Sequence, residues 1–302
     1  MNSHSERPDA PSFTPRRHPC VLVGAGPGDP ELLTIKAVKA LRRATVVLVD
    51  DLVDRRVLRW TRRNARIVPV GKRGGCSSTP QAFIEKLMVH EVLRGERVVR
   101  LKGGDPLIFG RAGEEIAALM DAGIEFEVVN GITSGVAAAA DLGLSLTHRD
   151  CAQGVLFITG HGRQDAKRDR GDRGDRGDRG DRGGRTGESA AVDWAQVART
   201  AAGGVTLVIY MGLARLARVQ EGLLSALPPA TPVALVERAS HAGGRHIRGC
   251  LRDLQTLAAT HRIATPAILV VGAVLGSVAE RTWVAELDEI LPRDLRSAVA
   301  IS

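Results

Sequence analysis

The sequence predicts a two-domain α/β protein, with a mostly parallel N-terminal sheet and a mixed C-terminal sheet. Three observations predict it. Short apolar runs alternate with amphipathic segments through the first half of the chain. Two glycine loops, VGAGPGDP at 23–30 and RLKGGDPLIFGRAGEE at 100–115, each follow a predicted strand, where α/β proteins bind small ligands. A second series of strands and helices begins near Val155 and contains two strands, 232–237 and 246–250, spaced as a hairpin.

The elements follow in order. Cys20–Gly24 reads as a strand, and Asp29 with Pro30 behind it reads as the start of a helix. Leu32, Leu33, Ile35, Val38 and Leu41 give that helix an apolar face. Thr45–Asp50 and Arg66–Val70 are apolar strands. Thr79-Pro80 opens a helix with Phe83, Ile84, Leu87 and Met88 on one side. Val98–Lys102 is a strand, 114–122 a helix and Ile124–Val129 a strand running into GITSG and an alanine-rich helix. In the second domain the strands are 155–159, 205–210, 232–237, 246–250 and 267–271, and helices fall near 193–201, 213–226, 251–261 and 278–290.

The expected domains are 18–152 and 153–292, with tails at 1–17 and 293–302 and an insert at 165–190. The insert holds four consecutive GDR triplets and no apolar residue between 168 and 185, so it is expected to be disordered. The chain has 302 residues, 44% of them apolar, but only 3% aromatic, so Val, Leu, Ile and Ala must build the cores. The formal charge of +8 suits an anionic ligand and equally suits nucleic acid. Scarcity of stacking aromatics argues against a nucleic-acid partner. The four cysteines form no C-x-x-C pair and have no histidine at zinc-ligand spacing, which points to reduced structural thiols and no metal. No stretch approaches the roughly 20 apolar residues of a membrane span, and the polar N-terminal tail is unlike a secretory signal. A cytoplasmic enzyme is expected.

The first loop lacks the last glycine of a dinucleotide fingerprint: after Gly24, Gly26 and Gly28 comes Asp29, and Pro27 stiffens the turn. It lets main chain approach a ligand but is a poor nicotinamide site. In the second loop Gly103 and Gly104 allow close approach. Asp105 is able to accept hydrogen bonds from a diol or amine such as a nucleoside offers, or else to cap the next turn. Arg111 and Glu114 follow at the start of a helix.

These elements occur with others in a fixed order. After the first loop come Asp50 to Val53 (D-x-L-V), GKR at 71–73, the second loop, NGITS at 130–134, LTHRD at 146–150, TGH at 159–161, YMG at 210–212 and VERAS at 236–240. Together they resemble the uroporphyrinogen-III C-methyltransferases within the tetrapyrrole methylase superfamily, over roughly residues 18–290. GKRGG, FGR-x-GEE and LTHR are the elements more specific to that branch. Ala112 and Leu107 depart from the Gly and Phe usual there, and the GDR tract expands a linker that is usually short.

The resemblance implies a tetrapyrrole methylase fold acting as a homodimer, with S-adenosylmethionine bound between the two domains and no metal. It implies methylation of two ring carbons of uroporphyrinogen III, through precorrin-1 to precorrin-2, for corrinoid or sirohaem synthesis; because the methylase motif starts at residue 21, the dehydrogenase–chelatase module of fused sirohaem synthases is not expected. Carried over by motif, the donor would touch Pro27, Gly103, Gly104, Asp105, Ile108, Thr133, Ser134, Met211, Ala239 and Ala267. Arg111 and Arg149 would grip substrate carboxylates. Asp50 and Glu114 are the available bases, and Lys72 would donate or relay a proton. The alternatives are a later precorrin methylase, a ribosomal RNA methylase of the same superfamily, or a non-enzymatic nucleic-acid-binding protein.

Overall fold

A computed structural model describes residues 18–71, 79–160 and 192–276. Lys72, the GDR insert, the helix expected at 278–290 and both tails lie outside the described residues. The chain divides into two compact units, Met1–Thr133 and Ser134–Ser302, whereas the sequence reading draws the line after residue 152.

The first unit is a three-layer sandwich. Its strands are β1 (Cys20–Gly24), β2 (Val46–Val49), β3 (Arg66–Pro69), β4 (Val98–Lys102) and β5 (Phe126–Val129), all parallel in the order β3-β2-β4-β1-β5. Both faces are covered, which is why these strands read as continuous apolar runs. Alternate residues part cleanly. Val23, Val47, Val99 and Leu101 pack with Ala37 and Leu41 of α1 (Ile35–Arg43). Leu22, Leu48 and Val98 pack with Ile84 and Met88 of α2 (Gln81–Leu93) and Leu119 of α3 (Ala112–Asp121). From β1 the chain crosses by α1 to β2, and from β4 it crosses by α3 to β5 on the far side of β1. The direction of winding therefore reverses between β1 and β4, and the two glycine loops leave the carboxyl ends of those two strands. That is the topological switch point at which open α/β sheets bind ligands.

Two expectations are corrected here. Asp29 caps only a short 3-10 turn, Pro30–Leu32, accepting the Glu31 N–H at 2.8 Å. Leu33 and Thr34 are extended, and α1 begins anew because Thr34 Oγ1 accepts the Ala37 N–H at 3.1 Å. Ile35, expected on the buried face, is 74% exposed. Phe83 likewise points to solvent, while Ile84, Met88 and Val92 form the buried stripe of α2.

The second unit carries β6 (Gly154–Thr159), β7 (Val205–Tyr210), β8 (Pro232–Glu237), β9 (Arg245–Cys250) and β10 (Ala267–Val271), in the order β6-β7-β10-β8-β9. Only β6 and β7 are parallel; β8 and β9 form the expected hairpin. One face, through Leu207 and Ile209 of β7, packs on three helices. These are α5 (Trp194–Ala202), α6 (Leu216–Leu224) and α7 (Leu254–Thr260), which contribute Trp194, Val197, Val219 and Leu254. The helices expected at 213 and 251 each open with a 3-10 turn, Leu213–Arg215 and Leu251–Asp253. The other face packs on α4 (Ser134–Asp141), whose Gly135 N–H donates to the Tyr210 hydroxyl at 3.0 Å. A Cβ on Gly135 would lie 2.4 Å from that hydroxyl, so only glycine lets α4 sit so close.

Candidate active site

In the first unit the loops after β1, β4 and β5 are joined through main chain. Gly26 and Gly104 exchange both backbone hydrogen bonds, at 3.2 and 2.7 Å, across an isolated bridge. Both take the left-handed backbone that favours glycine, with φ of +76° and +65°. A Cβ on Gly24 would lie 2.5 Å from the Gly131 nitrogen and 2.6 Å from the Gly104 oxygen. The three loops therefore touch with no side chain between them.

Asp105 fastens this arrangement. It is 7% exposed. Its Oδ1 accepts the Leu107 N–H at 2.8 Å, and its Oδ2 accepts the Asn130 Nδ2–H at 3.2 Å and the Gly131 N–H at 3.1 Å. Of the two sequence readings of Asp105, the turn cap is seen, and the same carboxylate also ties the β4 loop to the β5 loop. Thr133, at the end of that loop, is buried, and Pro27, Gly103, Gly104 and Ile108 are half-buried.

Arg111 and Glu114, singled out separately in the sequence, form one fork: Arg111 Nε donates to Glu114 Oε1 at 2.8 Å and Nη2 to Oε2 at 2.5 Å. This pairing pushes the guanidinium further above its already high range, so it stays charged. Arg111 adopts φ of +57°, and Phe109 two residues before it +52°. Asp50 lies at the carboxyl end of β2, with its side chain 34% exposed. Its Oδ1 accepts the Asp51 N–H at 3.1 Å. Gly71, immediately before Lys72, packs directly on Asp51.

Sequence reasoning missed the groups beneath these loops. Arg100 and Lys102 of β4 are 2% and 3% exposed and share the face of Val98. Both reach the fully buried Glu115 of α3, Arg100 Nε at 2.9 Å and Lys102 Nζ at 3.0 Å from Oε1. Gln81 Nε2 approaches the same oxygen at 3.4 Å. Burial lowers the Lys102 ammonium, and the Arg100 charge lowers it further, against the opposing pull of Glu115 and Asp50. The signal was present: cations at i and i+2 in a run otherwise apolar on both faces must be buried together.

Burial, reinforced by Glu115, also pushes the Cys20 thiol up to about 12 from 9.0, while Arg100 pulls the other way. Between those two pH values the unfolded chain ionises the thiol and the folded chain does not, so this group costs stability as pH rises through that window and is neutral below it. Cys20 should remain unalkylated by iodoacetamide at pH 8 in the native protein and react once the protein is unfolded. Native labelling of Cys20 in peptide mass analysis would contradict its burial.

In the second unit, antiparallel pairing brings the carboxyl ends of β7 and β8 to the amino end of β10. Tyr210 opposes Ile268, and Glu237 opposes Ala267. Met211, Ala239 and Ala267 therefore lie along one sheet edge. Met211 is exposed and Ala239 buried. Met211, Arg238 and Ser240 all have positive φ, +53°, +52° and +63°. Asp141 of α4 accepts the Ser240 N–H at 2.8 Å, and the Arg238 N–H reaches Pro266 O at 2.9 Å. Arg149 is exposed in a turn bridged by His148 and Ala152. Ser134 opens α4 and is half-buried.

Among the described residues, no group of three or more His, Cys, Asp and Glu side chains is placed to hold a metal ion, and no helix is long and apolar enough to cross a membrane.

The sequence model of the tetrapyrrole (corrin/porphyrin) methylases matches residues 19–255. The chain belongs to this family. Among the methylase's relatives is the uroporphyrinogen-III C-methyltransferase of Pseudomonas aeruginosa, 47% identical over 254 residues, which cover 84% of this chain and 92% of the relative. Siroheme synthase 2 of Aeromonas hydrophila is 44% identical over 88% of this chain, but the methylase spans only 51% of that protein. The fold is that of the uroporphyrin-III C-methyltransferase of Thermus thermophilus solved with S-adenosylhomocysteine (TM-score 0.65, 35% identity, covering 86% of this chain and 100% of the other).

Proposed function

We propose that this methylase transfers methyl groups from S-adenosylmethionine to two ring carbons of uroporphyrinogen III, giving precorrin-2 through precorrin-1 for sirohaem or corrinoid synthesis. The observation that carries the reading is the likeness to a uroporphyrinogen-III C-methyltransferase over nearly that protein's whole length. The geometry fits the donor. A nucleoside needs close main chain and a few fixed polar groups, and the Gly24–Gly104–Gly131 contact tied by Asp105 supplies both. The family resemblance assigns the donor to Pro27, Gly103, Gly104, Asp105, Ile108, Thr133, Ser134, Met211, Ala239 and Ala267. When bound, S-adenosylmethionine supplies an electrophilic sulfonium methyl.

The chain's own residues then handle charge and protons. Arg111 and Arg149 anchor substrate carboxylates. Asp50 receives the proton that leaves the macrocycle once the ring carbon has taken the methyl group; Glu114 suits this less well, because Arg111 already holds both of its oxygens. Lys72 supplies or relays a proton. Holding the nucleophilic carbon in line with the methyl group contributes most of the acceleration. The reading extends, from the family resemblance, to a homodimer in the cytoplasm.

Incubation with uroporphyrinogen III and labelled donor should yield products one and two methyl groups heavier by mass. Label passing to a later precorrin or to ribosomal RNA, and not to uroporphyrinogen III, would refute the substrate assignment. Arg149→Ala, and Arg111→Asn (Asn tolerates the left-handed backbone), should each raise the KM for uroporphyrinogen III by about tenfold or more, the worth of a charge-assisted pair. S-adenosylhomocysteine affinity should stay within about twofold. Equal loss of donor affinity in both would place these residues on the donor instead.

A further inference from the structure

We infer that Arg100 is a positioning residue for the Asp50 carboxylate, and that Glu115, which Lys102 shares, holds Arg100 in place beneath the site. The inference rests on the reading of Asp50 as the proton acceptor.

Arg100 sits in the middle of the sheet, on β4, at 2% exposure. Its guanidinium is fixed from three elements. Nε donates to Glu115 Oε1 of α3 at 2.9 Å. Nη1 donates to the carbonyls of Leu48 on β2 and Leu101 on β4, at 3.4 and 3.2 Å. Nη2 is left facing Asp50 Oδ2 at 3.4 Å. A planar fork whose Nε and Nη1 donors are engaged has little freedom, so it presents Nη2 in one place. Among the charged members of the network, Asp50 is the exposed one, its side chain being 34% open where Arg100, Lys102 and Glu115 are essentially sealed. The charged network thus surfaces at a strand end that opens toward the glycine loops.

The charges balance in the same sense. Two buried cations face one buried anion, and Asp50 supplies the second negative charge. A buried ion cluster is rarely the most stable way to fill a core, since well-packed apolar residues usually do as well or better. Lys102 extends the support: the chain at Gly110 closes to 3.2 Å from Lys102 Cε, measured from where a Gly110 Cβ would stand, so this side chain lies directly under the loop that carries Phe109 and Arg111. The cluster therefore props two parts of the site, the Asp50 strand end and the 106–111 loop, on one buried carboxylate. A role of this kind acts through orientation of the base and not through contact with either reactant.

The test is kinetic and uses the full-length protein. Arg100→Gln should lower kcat with uroporphyrinogen III by about 10- to 100-fold, as loss of a supporting partner does elsewhere, while KM and S-adenosylhomocysteine affinity change less than about threefold. Arg100→Lys retains the buried charge and should recover part of the rate. In an Asp50→Ala background the Arg100→Gln change should cost less than about threefold more, because residues acting as a unit are not additive. Full additivity, or a fall in donor affinity parallel to that in kcat, would overturn the inference. If Arg100→Gln does not accumulate as folded protein, Arg100→Lys alone and in the Asp50→Ala background provides the same comparison. Undiminished turnover by Asp50→Ala alone would instead remove the proton-acceptor reading, and is a separate outcome.

Discussion

Glu115→Ala is expected to destabilise the protein by about 3–5 kcal/mol, the cost of breaking a buried ion pair by removing one partner. The carboxylate is completely buried and is the shared anion of Arg100 and Lys102. Without it, two cations remain in a layer otherwise built from Leu22, Leu48, Met88 and Leu119. Asp50 reaches Arg100 only at 3.4 Å and offsets little of this. Lys102 is already held below its usual range by burial, and losing Glu115 would lower it further, which softens the loss. Arg100 has no such escape, because a guanidinium does not deprotonate in proteins. Glu115→Gln keeps an acceptor for Arg100 and should fall between wild type and alanine. Thermal unfolding of the three proteins checks the order, with a fall on the order of 10 °C for alanine. A shift under about 2 °C would mean that the layer tolerates the bare charges.

The same cluster shows how far the sequence could be read. The strands β1, β4, β7, β8 and β10 coincide with the apolar runs that predict them, because glycine or a polar turn closes each run at the sheet edge. Helix starts were less legible. Asp29-Pro30 is a sound N-terminal signal, yet Thr34 a few residues on caps the real helix, and local sequence does not rank two competing caps. The cations of VVRLK were legible only through the whole sheet. Their burial follows from α2 and α3 covering that face, and a lone strand carries no such information.

The site divides in the same way. Glycines that must be glycines were visible, since each marks a place where main chain meets main chain. Left-handed backbone at Phe109, Arg111, Met211, Arg238 and Ser240 was not, because nothing in those residue types announces it. Five of the six such non-glycine residues among the described ones fall inside FGR, YMG and ERAS, the motifs that carry the family likeness. Strain of this kind, of order 1–3 kcal/mol per residue, persists where the surroundings over-determine it and clusters at functional sites. Here Asp141, through the Ser240 N–H, and Pro266, through the Arg238 N–H, are two of the groups that impose it.

Gly131→Ala should lower S-adenosylhomocysteine affinity by about 100-fold or more, on the order of 3 kcal/mol. The new methyl would stand 2.3 Å from the Gly104 carbonyl oxygen and 2.9 Å from Gly24 Cα, both main-chain atoms of neighbouring loops. No rotamer relieves such a contact, so the loops must part. Parting them pulls on the Gly131 N–H bond to Asp105, 3.1 Å long, and through Asp105 on the turn at Leu107. It also strains the Gly26–Gly104 bridge. One methyl group thereby moves the three first-unit loops proposed to hold the donor, whereas global stability should fall only by the roughly 1–3 kcal/mol typical of overpacking. Gly154→Ala is the matched control. Its methyl would meet only Val205 Cγ2, at an ordinary 3.7 Å. Calorimetric titration of both variants with S-adenosylhomocysteine decides the matter: affinity within about threefold of wild type for Gly131→Ala would show that the donor is not held by these loops, since no arrangement of the three can keep its present spacing around that extra carbon.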